Sequence, residues 1–399
     1  MEIIRNIVRI IWGKPNNIDE RNLDRKVSYL ELFWDVAFAT YFATLAVNLS
    51  EDINSYRIID HVFLFTLVWF SWLNGMQYHD IHGNDDMRSR FFAFIHMFCV
   101  VGMTVFLDGA TGRYVIPFSI FYVFLQFVIT YEWWYTRILD SSHVESKPYA
   151  IFSGSGALIF LASIFINSEF RFLLWVVSLF FTVCAPLSVL FYDSIKTRRN
   201  RLYVLTSSMK ARFARLFIIV LAEIITAIVA GLTSHYIIDI GQLRYLFGGL
   251  LMAFGIFSLY FDAVSFRKLK NNRLCFFIYI FLHLPLMWFI STLGASIRMI
   301  VSRYWDAMAI KKVFPSIGIS CLGILIICGI LYMLFEHKKY EIRVWEDIST
   351  FMSAIVVLVT VINVHNIKFA TIIYIICFFL PVLVDFFLNI DFKAEYDKK

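Results

Sequence analysis

Long apolar runs separated by short polar stretches set the organisation of this chain. Each run is about 20 residues long, enough for a helix to cross the hydrocarbon of a bilayer. Within the runs, apolar residues do not recur on one face only, as they do on soluble amphipathic helices. The expected spans are 29–49, 60–79, 91–110, 114–134, 148–167, 170–192, 213–234, 243–265, 274–295, 314–335, 349–366 and 368–388, of which the fourth, fifth and eleventh are the least well defined.

Composition leads to the same class of protein. The chain has 399 residues, of which 60% are hydrophobic and 17% charged, whereas soluble domains carry roughly 25% charge. Six cysteines lie inside apolar runs without a CxxC pair, which indicates membrane-core residues and neither disulfides nor zinc ligands. No phosphate-binding loop or HExxH motif occurs, so we expect no metal, no cofactor and no ATP hydrolysis.

The positive charges indicate a topology. If the N-terminus lies inside the cell, 27 of the 36 Lys and Arg residues fall on the inner side. This three-to-one bias is what the positive-inside rule predicts. The net charge of +6 is therefore explained by topology, and we expect the lipid bilayer, and no nucleic acid, as partner. Both termini are predicted to be cytoplasmic, in a bacterial plasma (inner) membrane.

The most basic loop divides the spans into two sets of six. The expected segments are a basic cytoplasmic tail (1–28), a first half (29–195), a basic cytoplasmic loop (196–215) and a second half with a short C-terminal tail (216–399). Six spans per half give both halves the same orientation, so a repeat would be parallel. Residues that match between the halves, 182 to 198 positions apart, are Asp35 and Glu223, Tyr78 and Tyr260, Asp80 and Asp262, His96 and His283, Pro117 and Pro315, and Pro186 and Pro381. The predicted fold is thus an all-α integral membrane protein of about twelve transmembrane helices in two pseudo-repeated six-helix halves.

Carboxylates inside apolar spans are the first candidate site. Glu31 and Asp35 lie four residues apart, on one face of a helix. Glu223 is alone among apolar residues in its own span. A carboxylate in a membrane must be paired, protonated or hydrated. Asp35 and Glu223 are candidate proton or cation sites, Glu31 is expected near the interface, and structural pairing with Arg or His is the alternative for all three.

Histidines and a polar inner segment add further candidates. His96 and His283 lie in the middle of spans, where they would serve as proton relays, ligand contacts or interhelical hydrogen bonders. The segment 78–90 is rich in His and Asp, yet its spacing matches no metal signature. Salt bridges, and capping of the next helix by Asp85 or Asp86, are favoured over a metal site there. Asp262 lies at the inner end of its span, within reach of Arg267 or Lys268.

Taken together, these residues resemble the bacterial low temperature requirement A (LtrA) family. The resemblance rests on Arg25…Glu31-Leu-Phe-Trp-Asp35-Val-Ala-Phe, Asn84-Asp85-Asp86…Arg90, Arg215-Leu-Phe-Ile-Ile-Val-Leu-Ala-Glu223, Tyr260-Phe-Asp262 and His283-Leu-Pro-Leu286. Trp34 and Ala222 depart from the Phe and Gly usual in the family. The resemblance implies an integral membrane protein linked by name to growth in the cold, without a defined activity. The positions it carries over are Glu31, Asp35, Asp86, Arg90, Glu223, Asp262 and His283.

Three functions remain open on this reading. The leading hypothesis is proton- or cation-coupled secondary transport of a small molecule or ion, with Asp35 and Glu223 as coupling carboxylates and His96 and His283 beside them. The second is an intramembrane enzyme that acts on lipid or a hydrophobic carrier, with His and carboxylate as acid and base. The third is a structural or sensory membrane protein. The sequence assigns no catalytic residue.

Overall fold

The computed structural model of the chain describes residues 15–16, 23–83, 86–139, 145–188, 204–234, 240–264, 267–304, 306–336, 344–364 and 366–396. These residues form twelve helices and no β-strand. The helices are α1 (Tyr29–Glu51), α2 (Ser55–His82), α3 (Met87–Val105), α4 (Val115–Leu139), α5 (Ser146–Ser163), α6 (Ser168–Ser188), α7 (Ser207–Thr233), α8 (Ile240–Val264), α9 (Arg273–Ser302), α10 (Ala307–Leu334), α11 (Val344–Asn363) and α12 (Ile367–Tyr396).

The predicted all-α membrane fold is confirmed. Each of the twelve expected spans corresponds to one helix of the described chain. Ten of these helices are long and apolar enough to cross a membrane. Of the other two, α5 falls short of that criterion, and the apolar part of α11 is the shorter segment Asp347–Asn363. These two correspond to the fifth and eleventh spans, which are among the least well defined in the sequence.

Large apolar side chains cover the outside of these helices. Phe94 of α3 is 62% exposed, Phe254 of α8 57% and Ile355 of α11 52%. A soluble protein rarely exposes contiguous apolar surface on this scale. The exterior therefore suits a lipid environment, and the chain is a multi-pass membrane protein.

Polar side chains fix where many helices begin. Four free N–H groups at each helix start need acceptors, and Asp, Asn, Ser or Thr just before the helix supplies one. Asp86 accepts from the N–H of Ser89 at 2.8 Å at the start of α3. Asp306 accepts from two N–H groups of α10 at 3.0 Å each. Asn54, Thr206, Asn272 and Asn366 make the same kind of contact for α2, α7, α9 and α12.

The described helices divide into two compact units. The first contains Met1–Leu45 and Phe63–Leu216, and the second contains Ala46–Val62 and Phe217–Lys399. In the first unit α3 packs on α4, α4 on α5 and α5 on α6. In the second unit α9 packs on α10, α10 on α11, α11 on α12 and α8 on α12. The four-segment division and the parallel repeat inferred from the sequence stay predictions.

Parts of two predicted features, the basic segments and the cap of α3, lie outside the described residues. The basic N-terminal tail and the loop from 196 to 203 lie outside the described residues, apart from Pro15, Asn16 and 23–28. Asn84 and Asp85 also lie outside them, so the capping prediction is confirmed for Asp86 alone. The helix α7 begins at Ser207, six residues before the expected span, and residues 207–215 are therefore helical.

Candidate functional site

Glu31 closes the start of α1 and binds Arg25. The backbone N–H of Ser28 donates to Glu31 Oε2 at 2.9 Å, and the N–H of Glu31 donates to Ser28 Oγ at 3.2 Å. This reciprocal pair is a capping box. Arg25 adds two parallel bonds to the same carboxylate, at 2.8 and 3.0 Å. Glu31 is therefore held as an anion at the end of the helix.

Arg25 also ties this helix start to α2 and α7. Its Nη2 donates to Ser208 Oγ at 3.1 Å and lies 3.8 Å from Asp80 Oδ1. Thr206 Oγ1 donates to the same oxygen of Asp80 at 2.8 Å. Burial alone would lower the pKa of the Arg25 guanidinium, but the bond to Glu31 and the charges of Glu31 and Asp80 outweigh it and raise that pKa. Arg25 is thus a permanent cation that holds three elements together.

Asp35 forms a fully buried ion pair with Arg212 of α7. Arg212 Nη2 donates to Asp35 Oδ1 at 2.6 Å, and its Nε donates to Oδ2 at 3.1 Å. Trp72 Nε1 donates to Oδ1 at 2.8 Å. The Arg212 guanidinium lies 4.8 Å from the centre of the Trp34 ring, a cation–π contact. Asp35 is 1% exposed, so water does not solvate its charge. The charge is balanced instead by one cation and by three hydrogen bonds donated to the carboxylate.

His96 of α3 stands between Trp34 and Glu132 of α4. Trp34 Nε1 donates to His96 Nδ1 at 3.2 Å. Because Nδ1 accepts this bond, a neutral His96 carries its proton on Nε2. That nitrogen lies 3.2 Å from Glu132 Oε2, at ion-pairing distance but without the alignment of a hydrogen bond. The two side chains are 0% and 2% exposed, so the pair sits in an apolar interior.

His79 of α2 links this pair to a cavity of about 330 Å³. The His79 ring centre lies 5.8 Å from that of Trp34 and 6.4 Å from that of His96. His79 also lines the cavity, together with Arg25, Glu31, Trp34, Ser89 and Asn16. The volume lies within the range of about 300 to 1,000 Å³ that small-molecule sites occupy. A cavity lined by both charged and apolar side chains therefore lies beside His79, whose ring neighbours that of His96.

Asp86 and Arg90 lie at the start of α3, which Asp86 caps. Besides capping α3, Asp86 has its Oδ2 3.7 Å from Arg88 Nε. Arg88 is buried, and its guanidinium lies 5.5 Å from the Tyr135 ring centre. Arg90 occupies the exposed side of the same turn. The structure places neither Asp86 nor Arg90 against the His96–Glu132 pair, and no group of three or more His, Cys, Asp or Glu with metal-binding geometry occurs in the described residues.

Glu223 and Asp262 belong to the second unit and have different surroundings from Asp35. Thr226 Oγ1 lies 3.4 Å from Glu223 Oε2, at the same turn of α7. Gly294 of α9 lies against the Glu223 backbone, and a Cβ there would be 3.5 Å from it. Asp262 is half-buried at the end of α8, where Arg267 and Asp385 act on it electrostatically. Arg298 acts on Glu223 electrostatically, as Arg267 does on Asp262, in contrast to the two hydrogen bonds from Arg212 to Asp35.

His283 of α9 is buried between two tyrosines of the second unit. Its Nε2 lies 2.9 Å from the Tyr260 hydroxyl, and its Nδ1 lies 2.7 Å from the Tyr279 carbonyl oxygen. Because a carbonyl only accepts, Nδ1 carries the proton and Nε2 accepts from Tyr260. His96 has the opposite tautomer and a carboxylate neighbour. The two histidines therefore occupy similar sequence positions with different chemistry.

Sequence reasoning missed Glu132, Arg212 and the linking role of His79. Glu132 lies inside the expected span 114–134, so the criterion that found Asp35, a carboxylate in an apolar run, applied to it as well. The apolar pattern predicts a loop at Arg212, whereas Thr206, six positions before it, caps a helix. That cap is the signal that Arg212 is helical.

The family comparison covers the part of the chain that contains most of these residues. The model of the bacterial low temperature requirement A protein (LtrA) matches residues 26–386 of the chain. The chain belongs to the LtrA family. A comparison with curated proteins found no match. In this LtrA protein, the matched region contains Glu31, Asp35, Arg212 and the whole His79–His96–Glu132 series.

Proposed function

We propose that this LtrA protein is a proton-coupled secondary transporter in which His96 and Glu132 carry the proton. The observation that supports the proposal best is the distance of 3.2 Å between His96 Nε2 and Glu132 Oε2 in two buried side chains. A histidine and a carboxylate at this distance exchange a proton without leaving an uncompensated charge, because His⁺ with Glu⁻ and neutral His with neutral Glu have the same net charge. Such pairs within spanning segments line proton routes in transporters.

His79 and the cavity beside it supply the entrance. A relay needs a group that meets solvent or solute on one side and the buried pair on the other. His79 lines the cavity of about 330 Å³, and its ring is next to that of His96. The charged groups of Arg25 and Glu31 line the same cavity, which suits a small polar solute. Proton and solute would therefore meet at His79.

Asp35 is a positioning residue in this proposal. A coupling carboxylate must gain and lose a proton, whereas Asp35 already accepts three hydrogen bonds and faces a buried arginine. Protonation would leave Arg212 as a buried cation without its counter-ion, which costs several kcal/mol. We therefore move the coupling role from Asp35 to Glu132. Glu223 is retained as a second proton or cation site, because its carboxylate contacts a hydroxyl and Arg298 acts on it only through electrostatic attraction.

Proton coupling is tested in everted membrane vesicles that contain the protein. Respiration acidifies the vesicles, and a fluorescent amine reports the pH gradient. Sodium, potassium, divalent cations, amino acids, sugars and organic acids are added one at a time. We expect at least one solute to dissipate the gradient with wild-type protein, and the His96→Gln and Glu132→Gln variants to lose at least ten-fold in rate.

The matched control is Asp108→Asn, which removes a carboxylate from an exposed pair with Arg113. This variant should dissipate the gradient like the wild type. The proposal is rejected if both His96→Gln and Glu132→Gln keep wild-type rates, or if no solute acts. A changed lipid composition in cells that lack the gene, together with no solute effect, would instead support the intramembrane enzyme.

We also propose that the protein lies in a bacterial inner membrane with both termini in the cytoplasm. The three-to-one bias of positive charge supports this orientation, and the family description supports a role in growth at low temperature. Fusions of alkaline phosphatase, which is active only outside the cytoplasm, test the orientation. Activity of a fusion at the C-terminus, or none at Gly109 between α3 and α4, would contradict it.

A further inference from the structure

Buried polar side chains of α2, α4 and α5 form a second cluster beside the His96–Glu132 pair. Asn74, Gln126, Trp133 and Ser153 are each 0% exposed. Asn74 Nδ2 and Oδ1, Gln126 Oε1, Trp133 Nε1 and Ser153 Oγ have no hydrogen-bond partner among the described protein groups. Leaving such groups without a partner in an apolar interior costs about 1–3 kcal/mol each. Groups of this kind call for an explanation outside the protein's own side chains.

Contacts between the helices place these atoms along a stretch of about two helical turns. Gln126 Nε2 donates to Ser71 Oγ at 2.8 Å, and Tyr78 OH lies 3.3 Å from Thr136 Oγ1, so α2 and α4 run in the same direction. Asn74 lies between Ser71 and Tyr78 on one face of α2. It therefore faces the part of α4 between Gln126 and Thr136, which includes Trp133.

The helix α5 brings Ser153 to the same stretch. Tyr149 OH donates to Gln77 Oε1 at 3.0 Å, and the Tyr149 ring stacks on Trp133 with centres 4.1 Å apart. A Cβ on Gly154 would lie 3.0 Å from Thr130, so α5 runs opposite to α4. One turn beyond Tyr149 on α5 is Ser153, and one turn before Gln77 on α2 is Leu73 or Asn74. The unpartnered groups of the three helices thus follow one another along this stretch.

The mixture of donors and acceptors identifies the class of ligand. Asn74 Nδ2 and Trp133 Nε1 only donate, whereas Asn74 Oδ1 and Gln126 Oε1 only accept. A cation is repelled by the N–H donors, an anion by the carbonyl oxygens, and the cluster contains no charged side chain. Water donates and accepts at once, and buried waters usually make about three hydrogen bonds to polar groups of this kind.

We propose that Asn74, Gln126, Trp133 and Ser153 bind a file of ordered water molecules next to the His96–Glu132 pair. Asn74 is adjacent to Gly75, whose Cβ position lies 3.9 Å from His96 Cε1, and Trp133 is adjacent to Glu132. Gln126 extends the file through its bonds to Ser71 Oγ and Tyr122 OH, at 2.8 and 2.9 Å. The proposal that water binds here rests only on the unpartnered groups of the cluster. Its role as the continuation of the proton route, away from the His79 cavity, rests on the proposed transport function.

Infrared difference spectroscopy of the full-length protein in lipid tests the water file. Exchange of H₂¹⁶O for H₂¹⁸O shifts the O–H stretching bands of bound water and leaves protein bands in place. We expect isotope-sensitive bands of weakly hydrogen-bonded water in the wild type and their loss in Asn74→Leu. Ser153→Ala is a milder second variant for which partial loss is expected, in case Asn74→Leu does not fold.

The matched control is Ser119→Ala, because Ser119 is equally buried but donates to the Val115 carbonyl at 2.6 Å in its own helix. It should keep the bands. Bands that persist in both Asn74→Leu and Ser153→Ala would overturn the proposal. A sodium-dependent rise in melting temperature that Asn74→Leu abolishes would overturn it in favour of a cation. Glu132→Gln distinguishes the water file from the transport function. If the water bands remain in this variant while gradient dissipation is lost, both proposals are supported.

Discussion

At the level of single residues, the buried pair of Asp35 and Arg212 explains how a carboxylate persists in an apolar helix. Removing one partner leaves an uncompensated charge, which typically costs about 3–5 kcal/mol. We therefore expect Asp35→Asn and Arg212→Gln each to lower the melting temperature of the detergent-purified protein strongly. The double variant should be more stable than the sum of the two losses predicts, because neither charge is then left alone.

Glu223→Gln provides the comparison for Asp35→Asn, since Glu223 contacts the Thr226 hydroxyl and interacts with Arg298 only electrostatically. Its melting temperature should stay close to that of the wild type. An Asp35→Asn protein as stable as Glu223→Gln would mean that the Asp35–Arg212 pair is not a stabilising contact. The proton-coupling role would then return to Asp35.

The tautomer of His96 is also decided by a single neighbour. Trp34 donates to Nδ1, which leaves the Nε2 proton facing Glu132. Trp34→Phe removes the donor and keeps an aromatic ring. We expect nitrogen-15 spectra of the labelled protein to show His96 Nδ1 as an unprotonated acceptor in the wild type and a mixture of tautomers in Trp34→Phe. The spectrum of His283, whose Nδ1 bonds a carbonyl, should not change, and an unchanged His96 spectrum would refute the assigned bond.

Single residues also mark the limit of prediction from sequence. A charged group in an apolar run is visible in the sequence, and Asp35 and His96 were identified in this way. Their partners were not, because Arg212 follows Asp35 by 177 positions and Glu132 follows His96 by 36. Spacing along the chain identifies neighbours on one helix. Partners on different helices depend on packing, which local spacing does not encode.

At the level of helices, hydrophobic length and polar caps determined the fold. All twelve helices of the described chain were expected from apolar runs, because each run has to satisfy its backbone internally in lipid. The boundaries were less accurate. Apolar content shows where the hydrocarbon begins, whereas α7 begins earlier, at a Thr206 cap among polar residues. This is why the apolar pattern predicts a loop at Arg212.

The cap of α3 yields a prediction at this scale. Asp86→Ala removes the acceptor for the Ser89 N–H, and loss of a cap typically costs about 1 kcal/mol. Asp86→Asn keeps an acceptor oxygen and should lose only a fraction of this. Melting temperatures of the two variants decide between capping and another role. If Asp86→Asn is as destabilised as Asp86→Ala, the charge of Asp86 matters more than the cap.

At the level of the whole molecule, the compact units do not follow the order of the chain. Residues 46–62, which join α1 to α2, belong to the second unit with residues 217–399. The apolar pattern gave no sign of this, because it reports helices and not their partners. Two polar contacts support the assignment. Arg303 Nη2 donates to the Glu51 carbonyl oxygen at 2.7 Å, and Lys312 Nζ donates to Asp52 Oδ1 at 2.7 Å.

The Asp52–Lys312 contact joins two residues that are 260 positions apart in the chain. It also makes the stability of this unit depend on pH. The bonds from Lys312 and Asn54 hold the pKa of Asp52 below its ordinary value, which is about 3.9 for free aspartate. Because the folded-state pKa is the lower one, the stabilisation is fully present above the ordinary pKa. It is lost as the pH falls through the lowered, folded-state pKa.

Asp52→Asn should therefore melt below the wild type at pH 6, and the difference should shrink to zero in strong acid. The two side chains are 43% and 48% exposed, so solvent screening limits the contact to less than about 1 kcal/mol. High salt should reduce the difference further. Asp108→Asn is the control, because it removes a surface charge from an exposed pair within one loop and breaks no contact between distant parts of the chain. A wild-type advantage that is constant from pH 2 to pH 7 would show that ionised Asp52 does not hold residues 46–62 to α10.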